Sequence, residues 1–159
     1  MPDRVLFPLT RPPSWRDRWW LHTAHTLVAV WSLVIGLSIV AAQLTPLVVS
    51  PSLDVFPEPV EWATGIMAAL GGLTVMAALY CNRCDWSLDT TWALERAGWT
   101  LITTSFAAFS LAVTLYNADY AAGALLRALI AAVGLVRLRE LAKIADRAEA
   151  GVRAHKEAA

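Results

Sequence analysis

The lysine and arginine residues of this 159-residue chain are segregated between four long apolar segments. All but one of the thirteen lie before the first segment, in the second of the three connections or after the fourth segment. A predominantly apolar helix of about 20 residues is long enough to cross the hydrocarbon core of a bilayer. Basic residues in short loops favour the cytoplasmic side of the membrane. The sequence therefore predicts a four-span membrane protein with both termini in the cytoplasm.

The four predicted spans cover residues 27–49, 62–82, 97–118 and 120–136. Apolar residues are contiguous in these segments, whereas a soluble helix would confine them to one stripe. Only helices and closed barrels satisfy every backbone polar group in lipid, and these segments do not alternate with period two. The predicted fold is all-α: an integral four-helix bundle of the cytoplasmic (inner) membrane, with N and C termini inside.

Three regions follow from this topology. Residues 1–20 are predicted to form a basic, proline-rich cytoplasmic arm, residues 21–138 the transmembrane domain, and residues 139–159 a cytoplasmic helical tail. Apolar residues of the tail recur at spacings of three and four with charges between them, so the fourth span is expected to continue as an amphipathic helix. Prolines between the first two spans predict an irregular, extended acidic loop that reaches residue 61.

A cleaved signal peptide is the alternative interpretation of the first apolar segment, because Val40, Ala41 and Ala42 resemble a small-residue cleavage site. The apolar core of a signal peptide is about 7–15 residues long, and this uncharged segment is longer. A retained span is therefore favoured. Cleavage would leave three spans, with the tail still inside.

Small residues four positions apart allow helices to approach closely in lipid. Such faces hold together either one bundle or several protomers. A single bundle is favoured for most of them, because hydroxyl groups in membrane helices are readily satisfied locally. The faces are Ser32 and Gly36 in the first span, Ala68 and Gly72 in the second, and Ala124, Ala128 and Ala132 in the fourth.

Arg127 is the one basic residue inside a predicted span, and lies about 10 Å from its outer end at 1.5 Å per residue. A charge at mid-membrane costs about 3 kcal/mol or more. In one interpretation the side chain extends to the outer headgroups or pairs with Glu61 or Asp119. In the other it lines a water-filled cavity or a seam between protomers. Both interpretations remain open from the sequence.

Two histidines and two cysteines lie at the predicted cytoplasmic ends of the first two spans. His22 and His25 share a helix face, and Cys81 and Cys84 close the second span. Two thiolates and two imidazoles are a complete tetrahedral zinc set. Their order and spacing differ from those of the usual zinc finger, which favours reduced cysteines and interfacial histidines without a cofactor. Zinc binding and a redox-active Cys-x-x-Cys are the alternatives.

Catalysis and nucleic-acid binding are not predicted. The chain has no nucleophile–base constellation and no paired carboxylates on one element, so we do not expect an enzyme. Topology already explains the basic residues, so no nucleic-acid partner is expected. Hydrophobic residues make up 57% of the chain and charged residues 16%, against about 25% charged in soluble domains. The lipid bilayer is the partner that this composition predicts.

The span layout resembles that of the small four-span holin-like membrane proteins of actinobacterial phages. Two segments add to the resemblance: residues 94–99 (Leu-Glu-Arg-Ala-Gly-Trp) enter the third span, and residues 136–141 (Val-Arg-Leu-Arg-Glu-Leu) leave the fourth. The resemblance implies a non-enzymatic protein of phage lysis that forms homo-oligomers and a membrane lesion, which releases a cell-wall hydrolase. It assigns no role to any single residue.

Two other functions remain open. One is a metal- or thiol-dependent membrane protein that uses His22, His25, Cys81 and Cys84. The other is an accessory or scaffold subunit, whose C-terminal tail docks a membrane or cytoplasmic protein partner.

Overall fold

The computed structural model describes residues 22–45, 56–80, 88–116 and 121–157, and their regular structure is entirely α-helical. The helices are α1 (Thr23–Leu44), α2 (Glu58–Tyr80), α3 (Leu88–Tyr116) and α4 (Ala121–Glu157). Each packs chiefly against its neighbours in the chain, and non-consecutive helices make only sparse contact. The predicted all-α four-helix bundle is confirmed.

Contacts at both ends of α1 and α2 show that these consecutive helices are antiparallel. The Thr26 and Tyr80 hydroxyls are hydrogen-bonded at 2.6 Å, where α1 begins and α2 ends. At the opposite end, Gln43 Nε2 donates to Glu61 Oε2 at 2.5 Å. We call the end of the bundle marked by Thr26 and Tyr80 the basic end, and the end marked by Gln43 and Glu61 the acidic end. The acidic end also holds the end of α3 and the beginning of α4.

Prolines set the limits of the helices at the acidic end. α1 ends at Leu44, and Thr45 is extended (φ −137°, ψ 156°) because Pro46 disfavours helical backbone in the residue before it. α2 begins at Glu58, so residues 58–61 are helical and the prediction of an extended loop through residue 61 is wrong there. Pro59 fits the first turn, where a backbone N–H has no helical partner. The Pro57 carbonyl accepts hydrogen bonds from the Val60 and Glu61 amides.

The fourth predicted span and the predicted helical tail form one continuous helix, α4. It has 37 residues, which corresponds to about 55 Å at 1.5 Å per residue. The hydrocarbon core of a bilayer is only about 30 Å thick. The prediction that the fourth apolar segment continues as a helix is confirmed.

Helix α1 directs mostly small and hydroxyl-bearing residues to the interior of the bundle and large apolar residues to the outside. On α1, the residues Thr26, Ala29, Ser32 and Gly36 are buried, whereas Leu27, Trp31, Val34 and Leu37 are each about half exposed or more. A soluble protein of this size would not expose a continuous surface of this kind. Lipid tails are as apolar as leucine, so the same arrangement costs nothing in a bilayer.

The large buried side chains of α3 fill the space that glycines leave on its two neighbours. Trp99, Ile102 and Phe106 are almost completely buried. A Cβ atom added to Gly71 of α2 would lie 2.8 Å from the Ile102 side chain, and one added to Gly134 of α4 would meet Thr103. α3 is therefore the central helix of the packing.

Three of the described helices are long and apolar enough to cross a membrane: Thr23–Leu44, Glu58–Tyr80 and, within α3, Thr90–Leu115. In the described part of the chain, α4 is not among them. Its apolar half contains Arg127 and runs into Arg137 and Arg139.

Candidate functional site

A buried ion pair joins α3 to α4 at the basic end. Arg137 donates two hydrogen bonds to Glu95 Oε1, from Nη2 at 2.8 Å and from Nε at 2.9 Å. Only 8% of the Glu95 side chain and 14% of the Arg137 side chain are exposed. Arg137 Nη1 also donates to the more exposed Glu140 at 3.2 Å. One guanidinium thus binds two carboxylates, in the forked geometry that distinguishes arginine from lysine.

The hairpin of α3 and α4 brings this pair together. In two antiparallel helices, residues about equally far from the connection lie opposite each other. Close to the connection, Ser110 Oγ donates to the Ala124 carbonyl at 2.9 Å, and the ion pair lies several turns further along the same register. Glu95 is one turn before Trp99, on the buried face of α3. Sequence reasoning assigned Glu95 and Arg137 to cytoplasmic segments and missed the pair, although the hairpin register was an available signal.

Trp99 lies next to this ion pair and connects α3 to α1. Its ring is fully buried and meets the His25 ring in a T-shaped arrangement, with centroids 5.5 Å apart. Trp99 Nε1 and Thr103 Oγ1 are buried without a hydrogen-bond partner among the described residues. Gly134 of α4 packs directly against Thr103. This is the one described place where α1 and α3 make a ring contact.

The structure describes half of the predicted metal set. The His22 and His25 rings lie together at the start of α1, with centroids 5.9 Å apart. The neighbouring Thr26 is hydrogen-bonded to Tyr80, the last residue of α2. Cys81 and Cys84 lie outside the described residues, so the four-residue site stays a prediction. Within the described ranges, no three His, Cys, Asp or Glu side chains form a group that could hold a metal ion.

Arg127 folds back toward the acidic end of the bundle. Its Nη1 donates to the Gly123 carbonyl, one turn earlier on α4, at 2.8 Å. Its guanidinium carbon lies 4.1 Å from the centroid of the Phe109 ring on α3. Arg127 has no ion-pair partner among the described residues. Of the two predicted partners, Glu61 is buried and accepts a hydrogen bond from Gln43, and Asp119 lies outside the described residues.

Most of the predicted small-residue faces are used inside the bundle. Ser32 Oγ of α1 donates to the Ala68 carbonyl of α2 at 2.8 Å, and Ser105 Oγ of α3 donates to the Thr64 carbonyl at 2.9 Å. Gly36 and Gly72 lie directly against the backbone of the facing helix. The three alanines on α4 differ in burial: Ala124 packs against α3, whereas Ala128 and Ala132 are exposed.

Comparisons with protein-family models, with curated proteins and with solved structures find no match. The architecture therefore defines the class. Three apolar helices of membrane-spanning length, packed with a fourth around small residues, make this chain a multi-pass helical membrane protein.

Proposed function

We propose that the chain is a non-enzymatic, holin-like protein that self-associates in the inner membrane and permeabilises it. In this proposal the first half of α4 is a fourth crossing, and both termini are cytoplasmic. The observation that carries the proposal is the exposed pair of small residues on α4, Ala128 and Ala132. The fourth crossing, the self-association and the lesion each have separate support.

The outer surface of α4 supports a fourth crossing. Its first half exposes a series of large apolar side chains, and Arg127 is the one charged residue before Arg137. A guanidinium directed toward the nearer end of a span reduces the cost of burying its charge. The exposed large apolar residues of this first half are Leu125, Leu126, Leu129, Val133, Leu135 and Val136.

The pair Ala128 and Ala132 supports self-association. Their spacing of four residues puts them on one face of α4, and small residues at this spacing allow two helices to pack closely in lipid. Among the described residues α4 packs chiefly against α3, and Ala128 and Ala132 are exposed and available for contact with another copy. The equivalent faces of α1 and α2 are already occupied inside the bundle.

The packed interior supports a lesion that forms between protomers. Trp99, Ile102 and Phe106 fill the centre of the bundle, and glycine contacts close the gaps between its helices. Solutes would therefore pass between protomers rather than through one of them. Permeability should then rise steeply with the amount of protein in the membrane.

Liposome leakage tests this proposal with a matched pair of variants. Ala132→Leu should reduce both oligomer formation and release of an encapsulated dye at least several-fold. Ala107→Leu adds the same side chain at an exposed position of α3, and should leave both unchanged. Equal leakage from both variants, or no loss of membrane potential on high-level expression in bacteria, would contradict a self-associating lesion.

A metal- or thiol-dependent function is the second candidate. It is supported by the hydrogen bond between Thr26 and Tyr80. In the chain, Thr26 directly follows His25, and Tyr80 directly precedes Cys81. Metal analysis of the purified protein is the test. Near-stoichiometric zinc that is lost in a variant with alanine at His22, His25, Cys81 and Cys84 would support this candidate, and zinc well below one equivalent would exclude its metal-dependent form.

The length of α4 supports a third candidate, an accessory subunit that docks a larger partner. α4 continues for 20 residues beyond Arg137, whereas α3 begins only seven residues before Glu95. The last part of α4 therefore extends past the α3–α4 ion pair. Pull-down with and without the residues after Lys143 tests this role, and identical partner profiles would contradict it.

A further inference from the structure

The Arg127 guanidinium lies among apolar groups with most of its donors unused. Nη1 is hydrogen-bonded to the Gly123 carbonyl, and among the described residues neither Nη2 nor Nε has a partner. The guanidinium carbon lies over the Phe109 ring, 4.1 Å from its centroid. The donors on Nη2 and Nε can therefore still make a two-pronged contact with an anion. The group is thus held in place, and no ion pair within the described residues neutralises it.

Gly123 leaves the space in which the guanidinium folds back. A Cβ atom at this position would lie 3.0 Å from Arg127 Nη1. Gly123 is the third residue of α4, so the guanidinium is held at the level of the first helical turn. The free N–H groups of a first turn carry the positive end of the helix dipole. Two sources of positive potential, the side chain and the helix start, therefore coincide at the acidic end.

The apolar side chains around the Arg127 guanidinium limit the kind of anion that can reach it. Leu125, Leu126 and Leu129, on the same stretch of α4, are all more than half exposed and cover the outside of the helix. An anion that approaches along this surface in a bilayer must itself be attached to apolar chains. The phosphate of a phospholipid has this property, and arginine binds phosphate through paired hydrogen bonds.

We propose that Arg127 binds the phosphate of a phospholipid headgroup, with the acyl chains lying against the exposed leucines of α4. The phosphate accepts hydrogen bonds from the unused donors of Arg127, while Phe109 and the Gly123 carbonyl fix the guanidinium. The interaction rests on the proposed placement of the first half of α4 in the bilayer, but it does not require lesion formation. A protein that fails to release dye from liposomes could still bind lipid in this way.

Native mass spectrometry of the purified full-length protein, titrated with dioleoyl phosphatidylglycerol, tests the site. Arg127→Gln should weaken binding about tenfold or more, because it removes a charge-assisted contact. Arg127→Lys, which keeps the charge but loses the planar fork, should give an intermediate affinity. Arg139→Gln removes an exposed positive charge near the basic end and should leave the binding unchanged.

Two probes identify the source of the phosphate without relying on a variant that may not fold. Dioleoylglycerol has the same acyl chains without phosphate, and should bind wild-type protein at least tenfold more weakly than phosphatidylglycerol. Inorganic phosphate alone should neither bind nor compete at millimolar concentration. Equal binding of the two lipids, unchanged binding by Arg127→Gln, or effective competition by inorganic phosphate would each overturn the proposal.

Discussion

Glu95 and Arg137 form a buried two-hydrogen-bond ion pair that ties α3 to α4, with Arg137 Nη2 2.8 Å from Glu95 Oε1. Removing one partner of such a pair leaves an uncompensated charge in a poorly hydrated site. We expect Glu95→Gln to lower the free energy of unfolding by about 3 kcal/mol. The measurement is the unfolding transition in mixed detergent micelles, followed by circular dichroism.

The second carboxylate on Arg137 supplies the control for this experiment. Glu140 is bound at 3.2 Å and more than half of its side chain is exposed. Exposed pairs contribute about 1 kcal/mol at most, so Glu140→Gln should be close to wild type. If Glu95→Gln and Glu140→Gln had the same small effect, the Glu95 pair would not be a stabilising contact.

The glycine contacts identify helix pairs that pack too closely to accommodate an added side chain. A Cβ atom at Gly72 would meet the Ala29 carbonyl and the Leu33 amide of α1, and these backbone atoms cannot rotate away. Gly72→Ala should therefore force α1 and α2 apart and destabilise the protein by about 1–3 kcal/mol, as overpacking does elsewhere. Thermal unfolding in detergent is the measurement.

Gly123 is the matched control for Gly72. An added Cβ there would meet only Arg127 Nη1, which is the end of a flexible side chain. Alanine is also the better helix former, by about 1 kcal/mol. Gly123→Ala should therefore be neutral or slightly stabilising. A Gly72→Ala variant as stable as Gly123→Ala would show that α1 and α2 are less closely packed than the structure indicates.

Interhelical hydroxyl bonds give a third prediction. Ser32 Oγ donates to the Ala68 carbonyl of another helix, whereas Ser38 Oγ donates to the Val34 carbonyl of its own helix. Hydrogen bonds between membrane helices contribute about 0.6 kcal/mol on average. Ser32→Ala should cost about this amount, and Ser38→Ala should cost almost nothing. Equal unfolding free energies for the two variants would contradict a role of Ser32 in holding α1 to α2.

The general fold was predictable because a long apolar segment has few alternatives to a helix in lipid. The helix limits were less predictable. Pro59 was interpreted as part of an irregular loop, although the first turn of a helix also accommodates proline, and α2 begins at Glu58. Composition does not distinguish these two cases.

The contacts between helices were harder to predict, because they depend on register rather than on residue type. Ser32, Gly36, Ala68 and Gly72 were predicted to pack mostly within one bundle, as the structure confirms, but their spacing alone did not identify the residues that each one faces. The predicted spans placed Glu95 in a connection, where charged residues usually lie in water, so its burial was not predicted. Its burial follows from its position one turn before Trp99, on the side of α3 that meets Arg137.

The side of the membrane on which the C-terminal tail lies depends on whether α4 crosses. Two reporter fusions test this crossing. Behind Tyr116, the last residue of α3, alkaline phosphatase should be active because three helices precede it and the basic end is expected inside. Behind Ala159 it should be inactive, because the exposed leucines and valines of α4 favour a fourth crossing. A fluorescent protein that folds only in the cytoplasm should give the opposite pattern. If both fusions report the same side, α4 does not cross, and Arg127 lies at the membrane surface.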